Sequence, residues 1–121
     1  MKAKKIRIGI RSIRSALEGF ARIADAIENG RPVRKERGVY FVSFEAFRRA
    51  LTPKRLQLLH FIREKNPSSI NELARIADRD IKNVADDIKY LAQIGLVEKQ
   101  SFNKGIKPAF QYDKISLEIA V

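Results

Sequence analysis

The stretch from Ser69 to Lys99 reads SINELARIADRDIKNVADDIKYLAQIGLVEK, and its punctuation decides the fold. Ser69 followed three residues later by Glu72 forms a capping box. It opens a short helix through Ile70, Leu73, Ala74 and Ile76-Ala77. Asp78-Arg79-Asp80 is too polar and too short for anything but a tight turn, with Asp80 placed to cap the next helix. That helix runs from Ile81 to about Ile94. Ile81, Val84, Ile88 and Leu91 recur at spacings of three and four and so share its inner face. Arg79, Lys82, Asn83, Asp86, Lys89, Tyr90 and Gln93 are left around the other side. Two helices joined by such a turn make a helix-turn-helix.

Downstream, Leu96-Val97-Glu98-Lys99 and Ala109-Phe110-Gln111-Tyr112 read as strands, and Ser101 to Pro108 has the composition of the loop of a hairpin. Ile115, Leu117 and Ile119 alternate with Ser116, Glu118 and Ala120, the period of a further strand, which pairs within the domain or across a dimer. Upstream, Thr52-Pro53 supplies an N-cap and a proline at the first helical position. The helix it opens faces a core with Leu56, Leu59, Phe61 and Ile62 and ends near Asn66-Pro67. Phe44 to Leu51 reads as a short helix before it. The order helix, helix, helix, strand, loop, strand is that of a winged helix, with the hairpin as its wing.

Further upstream, Lys5 to Ile10 alternates apolar and polar side chains as a short strand does. From Ser12 the residues Ile13, Ala16, Leu17, Phe20, Ile23, Ala24 and Ile27 form an apolar stripe, and Gly30 sits where a helix ends. This helix packs on its own domain or on the same helix of a second chain. Arg31 to Gly38 has linker composition, and Val39-Tyr40-Phe41-Val42 reads as a second strand, paired with the first or with its counterpart in a partner. The expected architecture is α+β. Residues 1–43 form a basic strand-helix-strand extension that dimerises, and residues 44–121 form a winged helix-turn-helix domain.

A chain of 121 residues with 45% hydrophobic content suits one core plus an extension. Its net charge of +11 points to a polyanionic partner. Residues 1–37 hold 11 Lys/Arg against 4 acids, a net +7, and residues 38–121 hold 14 against 10, a net +4. A basic arm on a more balanced domain is a common layout for nucleic-acid binders, and also for a solubilising face. Without cysteine there is neither a disulfide framework nor a thiolate metal site, which is compatible with a reducing compartment. Arg7, Arg11 and Arg14 interrupt the apolar stretch near the N-terminus, so neither a signal-peptide core nor a spanning helix is expected. A cytoplasmic location follows as the expectation.

The segments Phe44, Leu51-Thr52-Pro53-Lys54-Arg55-Leu56 with Leu59, Leu73-Ala74, Asp80 with Lys82-Asn83-Val84 and Asp87-Ile88, and Leu91 with Ile94-Gly95-Leu96-Val97-Glu98 carry a resemblance. Together with the leader strand and helix, they make the chain similar to a family of prokaryotic transcriptional regulators of winged-helix type. Some members look like antitoxins encoded beside a toxin. The resemblance implies an operator-binding regulator, with a cognate toxin protein as a partner in the antitoxin case. The chain departs from the family in a longer, more basic linker and in a wing carrying Lys104 and Lys107.

For duplex DNA, Lys82 and Asn83 lie in the first turn of the second helix, where side chains reach base edges. Lysine donates to guanine O6/N7, and asparagine pairs bidentately with adenine. Lys54, Arg55, Lys104 and Lys107 are natural phosphate contacts, or members of a solvated face. Ser69, Arg79, Lys89 and Tyr90 complete the candidate surface. Asp86, four residues after Lys82, either holds that lysine in place or accepts from a base. Asp80 and Asp87 read as a cap and a surface ion-pair partner.

No catalytic constellation is present. His60 is the only histidine, in an apolar helical stretch without a Cys, His or acidic partner at metal-ligand or triad spacing. Neither a phosphate-binding glycine loop nor a hydrolase or metalloprotease motif occurs. No cofactor and no metal are expected. Ser15, Glu18, Asp25 and Glu28 dilute the charge that a membrane-surface helix would need. Three readings remain in order: a dimeric DNA-binding regulator, a winged-helix module for RNA or protein docking, and a membrane-surface helix.

Overall fold

The computed structural model describes residues 4–11, Glu18 and residues 38–119. The helix expected from Ser12 to Gly30 and the linker after it lie outside the described residues, except for Glu18, which is helical, and Gly38. Gly38 opens a strand instead of closing a linker. The architecture is α+β. Strands β1 (Lys5–Ile10) and β2 (Gly38–Phe41) precede helices α1 (Phe44–Ala50), α2 (Pro53–Lys65), α3 (Ile70–Ala77) and α4 (Ile81–Gln93). Strands β3 (Glu98–Phe102), β4 (Gly105–Ala109) and β5 (Lys114–Ile119) follow.

Local chemistry sets the helix boundaries. The Ser43 hydroxyl accepts from the Ala46 N–H at 3.1 Å, Thr52 Oγ1 from Arg55 N–H at 3.2 Å, and Ser69 Oγ from Glu72 N–H at 3.0 Å. Each satisfies an amide that a helix start leaves without a partner. The capping box is displaced by one residue. The Glu72 carboxylate accepts from the Ser68 N–H at 3.1 Å and from its hydroxyl at 2.6 Å, not from the backbone of Ser69. Asn66 (φ 45°) and Asp78 (φ 54°) end α2 and α3 in the left-handed conformation, which short polar side chains tolerate. Asp80 stands at the N-cap of α4, but its side chain makes no capping hydrogen bond. The expected cap is absent because the tight turn fixes this position without it.

The chain's two ends meet in one parallel sheet of order β2-β1-β5. The second and last strands therefore both pair with β1, inside the chain. Ile6, Ile8 and Ile10 stand beside Ile115, Leu117 and Ile119, and Ile8 and Ile10 beside Val39 and Phe41, so one face is apolar throughout. The opposite face carries Lys5, Arg7, Lys114, Ser116 and Glu118. There the Tyr40 ring lies on Gly9, where a Cβ would stand 2.7 Å from the ring. A parallel pair needs a connection of a dozen residues or more, and the whole helical region is threaded between β2 and β5.

Ile6 and Ile8 join a single core with Leu51, Leu58, Leu59, Ile62, Leu73, Ala74, Val84, Ile88, Leu91, Leu96 and Val97. Two inward assignments are corrected. Leu58, not Leu56, is buried, and Leu56 is 45% exposed, because α2 sinks the Leu58-Leu59-Ile62 side into the core. Ile81 is 46% exposed, because the first turn of α4 projects past the core that covers Val84, Ile88 and Leu91. The hairpin is also displaced. Leu96 and Val97 are buried lead-in residues, and β3 and β4 are joined by only Asn103 and Lys104. Both have positive φ, 46° and 66°, as a two-residue type I′ turn requires. The polar stretch from Ser101 to Pro108 is thus mostly strand, and Phe110 and Tyr112 follow the strand instead of forming it.

Candidate nucleic-acid interface

α4 separates its side chains cleanly. Val84, Ile88 and Leu91 are fully buried, whereas Lys82, Asn83, Asp86 and Lys89 are exposed. Lys82 and Asn83 occupy the first turn, where the helix N-terminus adds a partial positive charge. No ion pair ties Asp86 to Lys82 among the described residues, so the lysine is not held in place by its neighbour one turn on. Beside this turn lies a shallow depression of about 550 Å³, lined by Asn71, Ala74, Arg75, Asp78, Arg79, Asp80 and Ile81. Asn71 and Arg75 belong to this surface although sequence reasoning passed over them. Their spacing of four on the polar side of α3 was the available signal.

Three of the expected contact residues are brought together for a different purpose. Asp87 is not a surface ion-pair partner, since its side chain is only 16% exposed. Its Oδ1 accepts from Arg55 Nε at 3.0 Å and its Oδ2 from Arg79 Nη2 at 2.8 Å. Arg55 Nη1 donates to the carbonyls of Arg49 and Ala50 at 3.0 and 2.9 Å, and the guanidinium lies 4.2 Å from the centroid of the Tyr90 ring. One carboxylate therefore ties the end of α1, the start of α2, the turn and α4 into one joint. Its orientation suits arginine, whose planar fork serves several acceptors at once. Arg79 Nη1 is buried and has no hydrogen-bond partner among the described residues, so this arginine is committed to the interior. The two guanidinium groups were expected at phosphates, but both are half-buried and engaged.

The remaining cations are distributed around this joint. Lys54 is exposed in the first turn of α2, and Lys104 is exposed at the hairpin tip. Lys107 is half-buried, with Nζ 5.6 Å from the centroid of Phe102. It is also close enough to α3 to act on Glu72. Hydrogen bonds from the hydroxyl and N–H of Ser68 hold the Glu72 carboxyl below the usual carboxylate range, with smaller contributions from Arg75 and Lys107. Ser69 is occupied as the cap of α3.

A second groove of about 370 Å³ lies between α2 and the segment leading into β5, lined by Leu56, His60, Arg63, Phe110, Tyr112 and Asp113 among others. Arg63 and Asp113 form an ion pair across it. His60 is exposed, 5.9 Å from the Phe61 ring centroid. Among the described residues no group of three or more His, Cys, Asp or Glu side chains could hold a metal ion, and no helix is long and apolar enough to cross a membrane.

Residues 50–117, more than half of the chain, match the family model HVO_A0114. The matched span takes in α2, α3, α4, the hairpin and most of β5, and leaves out β1 and β2. No curated protein matches the chain.

Proposed function

We propose that the chain, which belongs to the HVO_A0114 family, is a cytoplasmic, homodimeric, sequence-specific regulator that binds double-stranded DNA. In this reading α2, α3 and α4 are the three helices of a winged helix, α3 and α4 form its helix-turn-helix, and β3-β4 is the wing. The observation that carries it is the outward face of α4. Its apolar stripe is covered, its first turn projects past the core, and Lys82 and Asn83 stand free there on a chain of net charge +11. Lys82 donates to guanine and Asn83 pairs with adenine in the major groove. Lys54, Lys89, Lys104 and Lys107 neutralise phosphates. Arg55, Arg79 and Tyr90 hold the reading helix from behind.

Selection from a pool of random duplexes, followed by titration of Lys82→Ala and Asn83→Ala on the selected site, tests this reading. Each substitution is expected to cost about 1–3 kcal/mol at one or two base pairs, with the melting temperature nearly unchanged. Lys104→Ala/Lys107→Ala is expected to weaken binding to all sequences alike and to flatten the log-log salt slope by roughly 0.9 per lost phosphate contact. Unchanged sequence preference in both the Lys82 and Asn83 variants would move the protein to the docking or RNA-binding class.

A further inference from the structure

Among the described residues β5 is an outer strand of its sheet, with β1 on one side only. Such an edge offers a row of N–H and C=O groups to any other strand, and monomeric proteins commonly blunt it with charged side chains, a proline, a bulge or a very short strand. Of these β5 has only two charges of opposite sign, Lys114 and Glu118. It runs from Lys114 to Ile119 without proline and in unbroken register with β1. Its apolar face is also left unfinished. Ile8 of β1 is fully buried, but Leu117 and Ile119 beside β1 remain 39% and 50% exposed.

The strand's own sequence says what fits there. When a strand pairs antiparallel with its own copy, the two-fold axis must pass through a residue level, because an axis between residues would set polar faces against apolar ones. With the axis at Ser116, Lys114 stands opposite Glu118 of the partner subunit, and the same pair recurs on the other side of the axis. On the other face, Ile115 stands opposite Leu117 of the partner subunit, again twice. An axis at Leu117 would set Ser116 against Glu118 and leave both lysines without an opposite charge, and an axis at Glu118 would set the two carboxylates against each other. An axis at Ile115 would bring Asp113 onto Leu117. Parallel addition of a second β5 would be head-to-tail and would not close.

We propose that a second copy of this chain joins β5 antiparallel with the two-fold axis at Ser116, merging two three-stranded sheets into one of six strands. The apolar pairs supply most of the affinity, and the Lys114–Glu118 pairs choose the register. Arg7 Nε, 3.2 Å from Glu118 Oε1, extends each pair into a small charge network on the polar face. The proposal rests on the dimeric part of the reading above and is independent of DNA binding.

Sedimentation of the full chain, with circular dichroism to check folding, tests it. The wild type is expected to be a dimer at micromolar concentration. Lys114→Glu sets two carboxylates opposite each other, Glu118→Lys sets two ammonium groups opposite each other, and each variant alone is expected to dimerise roughly tenfold more weakly. Mixed together, the two variants restore both attractive pairs, so a heterodimer of near wild-type affinity is expected. Ser116→Glu places a carboxylate beside Arg7 in its own chain but against itself at the axis, so it is expected to keep the fold and weaken the dimer. A monomeric wild type overturns the dimer. A wild-type dimer unaffected by all three substitutions overturns this interface and leaves the DNA reading standing. Weakened single variants that the mixture does not rescue overturn the register.

Discussion

α4 and β5 each alternate apolar and polar side chains at the period of their own backbone, yet they end differently. The inner stripe of α4 is covered along its length at Val84, Ile88 and Leu91, and the residues left outside are polar except for Ile81 at its projecting end. The inner face of β5 is half covered at Ile115 and open at Leu117 and Ile119. A helix presents a narrow stripe that two neighbouring helices can cover completely. A strand at a sheet edge is covered only as far as its neighbour and the layer above extend. Apolar surface on α4 is therefore spent within the chain, and its outward face is free to recognise a polar partner. Apolar surface on β5 is not, and that remainder is where a like surface fits.

The comparison breaks most directly through paired truncations. Ile88→Ala removes fully buried methyl groups from the centre of the core and is expected to lower the unfolding free energy by about 2–5 kcal/mol. The loss should not depend on protein concentration. Leu117→Ala removes a partly exposed side chain, with an expected loss of less than about 1 kcal/mol in dilute protein. Its effect should grow as concentration rises into the range where the wild type associates, because association adds stability by mass action. Urea titrations at two concentrations measure both quantities. Equal, concentration-independent losses would mean that β5 is as closed as α4.

A sharper version concerns how α4 is anchored. Asp87 is the one carboxylate that both Arg55 and Arg79 share, and its removal takes the carboxylate acceptor from Arg79 and leaves Arg55 with only the carbonyls of Arg49 and Ala50. Asp87→Ala is expected to cost roughly 1.5–3 kcal/mol, the range for hydrogen bonds to charged groups, and less than a fully buried pair would cost because all three side chains keep some solvent. On the proposed DNA-binding reading it should also weaken sequence discrimination, since the turn and α4 lose their common tie. Exposed Asp86→Ala, one residue away, is the control and should leave stability nearly unchanged. If Asp87→Ala behaved as Asp86→Ala does, the joint would contribute nothing to the helical region's rigidity.

What could be read in the sequence follows the range of the interactions involved. Thr52-Pro53 and Ser69 marked helix starts because caps act within three residues. Lys5–Ile10 and the last strand were legible because one of their faces is apolar throughout. The hairpin was misplaced because β3 is exposed at every position and so has no alternation to detect, while Leu96-Val97 imitates a strand and is core. Asp87 was read as a surface residue because its partners, Arg55 and Arg79, lie 32 and 8 residues away, outside any local pattern. The sheet order was closed to sequence reasoning for the same reason: the strands were visible, but their partners are set by how the helical region folds between them. Of the candidate interface, the outward placement of Lys82 and Asn83 was legible from helical spacing, and the exposure of Ile81 and the commitment of both arginines to the interior were not.

The smallest expected effect lies at the start of α3. Glu72 is half-buried at the helix start, and its carboxyl is held below the usual carboxylate range, first by the hydroxyl and N–H of Ser68 and then by Arg75 and Lys107. A carboxyl whose folded value lies below its unfolded value adds stability at pH above the unfolded value, and that addition is lost as pH falls through the folded one. Glu72→Gln should therefore be slightly less stable than the wild type at about pH 7, and the gap should close on acidification through and below the ordinary carboxylate range. The difference between the two proteins must be followed, because every other carboxylate titrates in both. Added salt should trim only the part due to Arg75 and Lys107, since direct hydrogen bonds are screened far less than separated charges. Thermal melts of both proteins between about pH 7 and about pH 3, at low and high salt, measure it. A gap that stayed constant across that range would show that the charge of Glu72 does nothing for the cap, and that the Ser69 hydroxyl alone starts the helix.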